Sequence, residues 1–177
     1  MKVECVEFEG PLLITPKVFK DERGFFFESH QDIRYGAYGI KTSFVQDNHS
    51  FSKYGTLRGM HFSLAGQAKL IRVVVGEVYD VIVDMRADSP NFGKWLGHIL
   101  SDQNHQQLFI PEGFAHGFCV LSAEAHVLYK VSTPYHAETE KGFRYDDPDI
   151  GIKWPIDQVI VSKRDKNNPF FHELVWT

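Results

Sequence analysis

Short apolar runs closed by Gly, Pro, Asn or Asp follow one another along the chain, and few carry the 3.6-residue period of a helix. Lys69 to Val75 and Val78 to Asp84 flank Gly76-Glu77, a two-residue connection with Gly first, which predicts a hairpin with a type II′ turn. In the second arm, alternation places Tyr79, Val81 and Val83 on one face and Asp80, Ile82 and Asp84 on the other. Leu108 to Ile110 runs into a turn at Pro111-Glu-Gly113, and His116 to Leu121 and His126 to Val131 read as the next strands. Leu12 to Phe19, Gly24 to Ser29 and Phe44 to Ser50 also look extended. Helix signals are confined to Gln31 to Tyr38, one short helix, and to Trp154 to Asp165, which is mixed. Many short strands at close spacing predict an all-β double-sheet barrel with small helical additions. With no repeat, low-complexity tract or linker, one domain over residues 1–177 is expected.

Composition narrows the classes of partner. Hydrophobic residues are 43% and charged residues 24%, the balance of an ordinary globular chain. A net charge of -4 gives no reason to expect nucleic acid or an anionic membrane. No run approaches the ~18 apolar residues of a spanning helix. The N-terminal residues lack the apolar centre of a secretory signal, and Cys5 and Cys119 are too few for a disulfide framework, so the cytoplasm is expected. The 15 Phe, 7 Tyr and 3 Trp suit strands and also line small-molecule pockets.

The candidate chemistry starts in Thr56-Leu-Arg-Gly-Met-His-Phe62. An imidazole there stands near an arginine and a glycine in an otherwise apolar strand, and a glycine in a strand marks a bulge or a close approach. Strict alternation puts His61 with Leu57 and Gly59 and sends Arg58 to the opposite face, and a bulge at Gly59 would bring the two together. Lys69 opens the next strand, where an ammonium could stabilise developing negative charge. Tyr129 shares a strand face with Val127 and Val131, which suits either a core tyrosine or a phenol at the edge of a cavity. Asp165, in Ser162-Lys-Arg-Asp165, reads as a solvated turn unless it meets an imidazole, whose tautomer and basicity a carboxylate would set.

Two other chemistries have partial signatures in the chain. Pro111-Glu-Gly-Phe-Ala-His116 resembles half of the metal site in metal-binding cupins. The other half needs a His-x-His pair and a following Glu, whereas His61-Phe-Ser63 supplies one histidine only, so no metal is expected. The arginines, Arg23, Arg58, Arg72, Arg86, Arg144 and Arg164 among them, come without a glycine-rich phosphate loop, so any phosphate would be held by guanidinium forks.

At this point the residues become familiar. Asp21-Glu-Arg-Gly-Phe-Phe-Phe-Glu28, Phe44-Val-Gln-Asp-Asn-His-Ser50 and Leu57-Arg-Gly-Met-His61 resemble stretches of the dTDP-4-dehydrorhamnose 3,5-epimerases. So do Gln67-Ala-Lys-Leu-Ile-Arg-Val-Val74, Gly76-Glu-Val-Tyr-Asp80, Ile110-Pro-Glu-Gly-Phe-Ala-His-Gly117, Leu128-Tyr-Lys130 and Asp147-Pro-Asp-Ile-Gly-Ile-Lys-Trp-Pro155, in order along most of the chain.

The resemblance implies a cupin-type double-stranded β-helix jelly roll with a few short helices. It implies a metal-free, cofactor-free isomerase of deoxysugar and cell-surface polysaccharide synthesis, forming a homodimer whose N-terminal strands reach into the partner. Its substrate would be a nucleotide-linked 4-keto-6-deoxy sugar. By the same resemblance His61 is the base, Asp165 its dyad partner, Lys69 the enolate stabiliser and Tyr129 the acid. Arg23, Glu28, Gln46, Asn48 and Arg58 would contact the nucleotide-sugar, with His116, Glu140 and Arg164 lining the site. The chemistry is coherent, because a C4 ketone acidifies the C–H bonds at C3 and C5, and an imidazole with an ordinary pKa of ≈ 6.5 is mostly free base near neutrality. One departure stands out. The Phe62–Ala68 segment is about two residues short of the family pattern and has Phe62-Ser63 where Tyr-Gln is usual, which leaves open inversion at C3 or C5 alone, or a different nucleotide-deoxysugar.

Overall fold

The structure, a computed structural model, describes residues 1–174. In chain order the strands are β1 (Lys2–Cys5), β2 (Leu12–Thr15), β3 (Phe19–Asp21), β4 (Gly24–Phe26), β5 (Gln46–Lys53), β6 (Thr56–Ser63) and β7 (Lys69–Val75). They continue as β8 (Glu77–Asp84), β9 (Trp95–Ser101), β10 (Gln107–Ile110), β11 (Phe114–Val120), β12 (Glu124–Val131), β13 (Glu140–Gly142) and β14 (Ile160–Val161). Two short helices, α1 (Asp32–Gly36) and α2 (Lys163–Lys166), interrupt them. Among the described residues, no helix is long and apolar enough to cross a membrane.

β8 shows why the chain builds layers. Both of its faces carry aliphatic residues, and those on each face are buried in a different cluster. Val78 and Ile82 pack with Ile71, Val73, Leu108 and Val127, while Val81 and Val83 pack with Met60, Phe62, Ala115 and Phe143. At about 1.5–3 kcal/mol for each fully buried aliphatic or aromatic side chain, such clusters dominate the fold. One sheet runs β1-β2-β10-β7-β12-β5; the facing sheet runs β13-β6-β11-β8-β9, with β14 parallel on β6. The first cluster fills the space between the sheets, giving the cupin-type jelly roll.

The hairpin expected across Gly76-Glu77 is not made. β7 pairs with β10 and β12 in one sheet, and β8 pairs with β11 and β9 in the other. Gly76 is instead a corner between layers, at φ 82°. Its N–H donates to Asp102 Oδ2 at 2.7 Å, its carbonyl accepts from Asp102 N at 3.0 Å, and Glu77 N–H donates to Ser122 Oγ at 2.8 Å. Long-range ladders thus satisfy groups that a local turn would have paired, and they outweigh the turn signal.

The other departures are smaller. The extended run from Leu12 breaks after Thr15, where Pro16 removes a ladder donor, and resumes as β3 at Phe19. Gly24–Ser29 is a strand only to Phe26. β1, β9 and β13 had no counterpart in the sequence reading, and the mixed C-terminal segment resolves into β14 and α2.

The bulge invoked at Gly59 is present. On β6, Gly59 and Met60 together oppose Gly117 of β11, because the register passes from His61↔His116 to Arg58↔Phe118. The crossing is backbone against backbone: a Cβ on Gly59 would lie 2.6 Å from Gly117 Cα, and one on Gly117 would lie 2.8 Å from Arg58 O. The bulge returns Arg58 and His61 to the same side.

Gly76 is the corner with the least room. A Cβ there would overlap Glu124 O and Ser122 Oγ, at a positive φ that disfavours any side chain. Gly76→Ala should therefore destabilise the fold by at least about 2 kcal/mol, read as a lower urea midpoint at unchanged slope. Wild-type stability in the variant would show that the corner relaxes freely.

Candidate active site

The site grows from the bulge. Beside it, β14 lies parallel on Thr56 and Leu57, so the chain leaves β14 next to Gly59 and turns into α2. Ser162 caps that helix, its Oγ accepting from Asp165 N–H at 3.0 Å. The cap puts Asp165 in the first turn, 4% exposed and aimed at β6. There His61 Nε2 lies 2.7 Å from Asp165 Oδ1, and Gly59 N–H donates to Oδ2 at 3.4 Å. Burial alone would push the Asp165 carboxyl up. The His61 hydrogen bond and charge, with the Gly59 and Ser162 contacts, bring it net below the usual range. An ionised carboxylate accepts only, so Nε2 carries the hydrogen and Nδ1 is the basic nitrogen of His61.

His61 opens onto a cavity of about 540 Å3 between the two sheets. His61, Arg58 and His116 come to it from the β6–β11 sheet; Gln46, Asn48, Lys69 and Tyr129 come from the facing sheet. Glu140, Arg164 and Asp165 close one side. The base candidate and the phenol are therefore carried by opposing layers. Burial pushes Lys69 down from the usual ammonium range, with Glu140 and Asp80 opposing the fall. Burial, then Glu140, pushes the Tyr129 phenol up against the pull of Arg58, so it holds its proton at neutral pH. Arg58 sits at the rim, donating to Ser52 Oγ at 2.9 Å and Phe51 O at 3.1 Å. Glu140 and Arg164 stand 3.5 Å apart as an ion pair.

Two of the expected contacts lie elsewhere in the chain. Arg23 is on the exposed β3–β4 hairpin, forked onto Asp21, and Glu28 pairs with Arg34 at 3.2 Å. Neither lines the cavity of its own chain.

The short Phe62–Ala68 segment is stitched across the mouth. Gln67 Nε2 donates to Thr133 O at 2.7 Å, Thr133 Oγ1 to Gly66 O at 3.1 Å, and Leu64 N to Thr139 O at 3.0 Å. Those bonds position Tyr135 and His136, cavity-lining residues that sequence reasoning passed over, with Pro134 before them the only local signal. Ser162 was passed over as well, although a Ser three residues before an Asp is a cap signature. So was Asp80, fully buried, whose Oδ2 accepts from His116 Nε2 at 2.9 Å. Its signal was a carboxylate alternating with aliphatics in β8. Among the described residues, no three His, Cys, Asp or Glu side chains gather to hold a metal, and the Nε2 atoms of His61 and His116 are each committed to a carboxylate.

Comparison with known proteins now bears on this geometry. Residues 5–173 match the family model described as dTDP-4-dehydrorhamnose 3,5-epimerase. The chain is 51% identical over 174 residues to the Shigella flexneri protein of that name, covering 97% of this chain and 96% of that one. It is 45% identical to the dTDP-6-deoxy-D-glucose-3,5-epimerase of Legionella pneumophila, solved in complex with dTDP-4-keto-L-rhamnose, at a TM-score of 0.95 over 98% of this chain and 94% of that one. A 3′-monoepimerase from Streptomyces bikiniensis, in complex with dTDP-quinovose, aligns at a TM-score of 0.88 and 32% identity, over 93% of this chain and 85% of that one. With the fold, the near-complete coverage and the family model in agreement, the chain belongs to the dTDP-4-dehydrorhamnose 3,5-epimerase family of isomerases.

Proposed function

We propose that the protein inverts C3 and C5 of a dTDP-linked 4-keto-6-deoxy sugar, most directly dTDP-4-dehydro-6-deoxyglucose to dTDP-4-dehydrorhamnose, without metal or cofactor. One observation carries this reading: the His61–Asp165 pair and the Tyr129 phenol line one cavity from opposing sheets. His61 Nδ1 removes the C–H proton beside the ketone, and the electron pair moves onto the ketone oxygen. Lys69 stabilises that oxyanion. Tyr129 then delivers its phenolic proton to the opposite face of the same carbon, which inverts it. Asp165 holds the imidazole in the required tautomer and offsets the charge it gains. Gln46, Asn48, Arg58, His116, Glu140 and Arg164 bind and orient the nucleotide-sugar.

Arg23 and Glu28 serve the same reading through a second copy of the chain. Arg23 lies in the turn of a hairpin and Glu28 just after it, and Phe19, Phe25 and Phe26 of that hairpin are 54%, 59% and 70% exposed. Such a patch suits an interface, and a homodimer would lay it over the partner's cavity. A cytoplasmic setting is part of the proposal: both cysteines are free thiols, as a reducing compartment keeps them. Inversion at a single carbon is a second reading, favoured by the stitched Phe62–Ala68 segment and by the likeness to a 3′-monoepimerase.

In D2O, chelator-treated protein given the 4-keto sugar should place deuterium at C3 and C5, located by NMR. His61→Ala should lose exchange at both carbons, whereas Tyr129→Phe should retain wash-in at one carbon and lose inversion. Unchanged turnover in His61→Ala would overturn the assignment of the base, and label at one carbon only would decide for the second reading.

Asp165 supplies a pH test. Its folded-state pKa lies below the unfolded value, so its contribution to stability is full above about pH 4 and is lost as pH falls through the lower folded value. Asp165→Asn should unfold more easily than wild type at pH 7, with the gap closing below about pH 4. Its kcat should fall by about a hundredfold or more. A pH-independent gap would mean that the carboxylate is not ionised against His61.

Pairing inactive variants tests the second copy. Arg23→Ala and His61→Ala, each inactive alone, should regain activity when unfolded and refolded together, because mixed dimers hold one intact site. No recovery, with mixed dimers present, would exclude a shared cavity.

A further inference from the structure

Outside the proposed mechanism, Asp80 is a buried carboxylate with one oxygen unpartnered by the protein. Its carboxylate is fully buried between β11 and β9, and only one oxygen, Oδ2, has a protein donor, the Nε2–H of His116. The other oxygen, Oδ1, is buried without a protein partner. On the neighbouring strand, His98 is the direct register partner of Asp80, and its Nε2 is likewise buried without a protein partner. Direct cross-strand neighbours have Cβ atoms about 4.5–5.5 Å apart. Leaving both polar atoms bare would forfeit the hydrogen bonds that each had in water. Asp80 also attracts His98 electrostatically, although burial holds the imidazole below its ordinary range.

The geometry points to His98 as a positioning residue for His116. One buried water between His98 Nε2 and Asp80 Oδ1 would complete a chain that runs His116–Asp80–water–His98 from the cavity across three adjacent strands. A water suits a polar gap between two groups that each need one partner. Held at both oxygens, Asp80 cannot turn, so it keeps His116 as the Nε2–H tautomer with its Nδ1 lone pair available as an acceptor for a sugar hydroxyl. The groups facing Asp80 are His116 and His98 on the flanking strands and the Lys69 ammonium from the opposite sheet. This inference rests on the epimerase reading only for what His116 touches. The placement of its proton is independent of any activity.

The test is therefore spectroscopic first. Two-bond 1H–15N correlation spectra of histidine-labelled protein should show His116 as a single Nε2–H tautomer. In His98→Val that signature should become a tautomer mixture, and His98→Gln, which keeps a polar end at this place, should restore it. In the epimerisation assay, His98→Val should lower kcat on the order of tenfold at a nearly unchanged KM, with recovery in His98→Gln. His98→Val should stay folded, because it exchanges a buried polar group for an aliphatic one. A mixed tautomer in wild type, or His116 signals and kcat in His98→Val that match wild type, would overturn the proposal. A wild-type protein without epimerase activity, but with the tautomer change in His98→Val, would instead overturn the functional reading and leave the positioning role standing.

Discussion

A carboxylate buried at 4% exposure persists as an anion only if donors surround it, and Asp165 finds them on a strand 104 residues away. His61 Nε2–H meets one oxygen and Gly59 N–H the other. That requirement ties three separate pieces of chain together. The bulge must free the Gly59 N–H from the ladder. β14 must run parallel on the start of β6, and Ser162 must start α2 where it does. If one of these is lost, the charge is buried without compensation, at a penalty of several kcal/mol. The His61 imidazole is thus oriented by the same contact that closes the C-terminal segment onto the sheet.

The second constraint is that the two layers face each other across a gap left unfilled. Most of the interior is aliphatic and closely packed, from Ile71 and Val73 to Leu108 and Val127. Toward one end, inward positions change to Asn48, Lys69 and Tyr129 on one wall and His61 and His116 on the other. Low-dielectric surroundings act on these groups in opposite senses. They weaken the hold of Lys69 on its proton and strengthen that of Tyr129. A cation that interacts strongly with a developing oxyanion and a phenol that keeps its proton until needed are what the proposed enolate mechanism requires.

The strands at Lys69–Val75, Val78–Asp84, Leu108–Ile110, His116–Leu121 and His126–Val131 were legible because their residues alternate or run apolar within a few positions. β9 was not: Gly97 and His98 interrupt its apolar run, and its strand character comes from pairing along the whole of β8. The turn at Gly76-Glu77 was misread for the same reason. A dipeptide reports which backbone angles are comfortable, but which sheet each arm enters depends on β10, β12, β11 and β9, strands made by later parts of the chain. At the site, the residue types were visible and their partners were not. Asp165 reads as a solvated turn in sequence, and Asp80 as an oddity in an apolar strand. Each becomes a histidine's partner only when β6 and β11 are laid beside the segments that carry them.

The amino-acid sequence by itself determined the strand-rich class, the need for a bulge at Gly59 and the candidate groups for moving a proton beside a ketone, because these follow from periodicity, backbone freedom and side-chain chemistry. The tertiary structure alone decided that His61 and Tyr129 come from opposing sheets, that Asp165 and Asp80 each serve a different histidine, and that Arg23 and Glu28 stand outside their own chain's cavity. The reason is that facing walls and buried carboxylate–imidazole pairs are made by segments tens of residues or more apart. Only the collapse of the two apolar layers onto each other sets those distances.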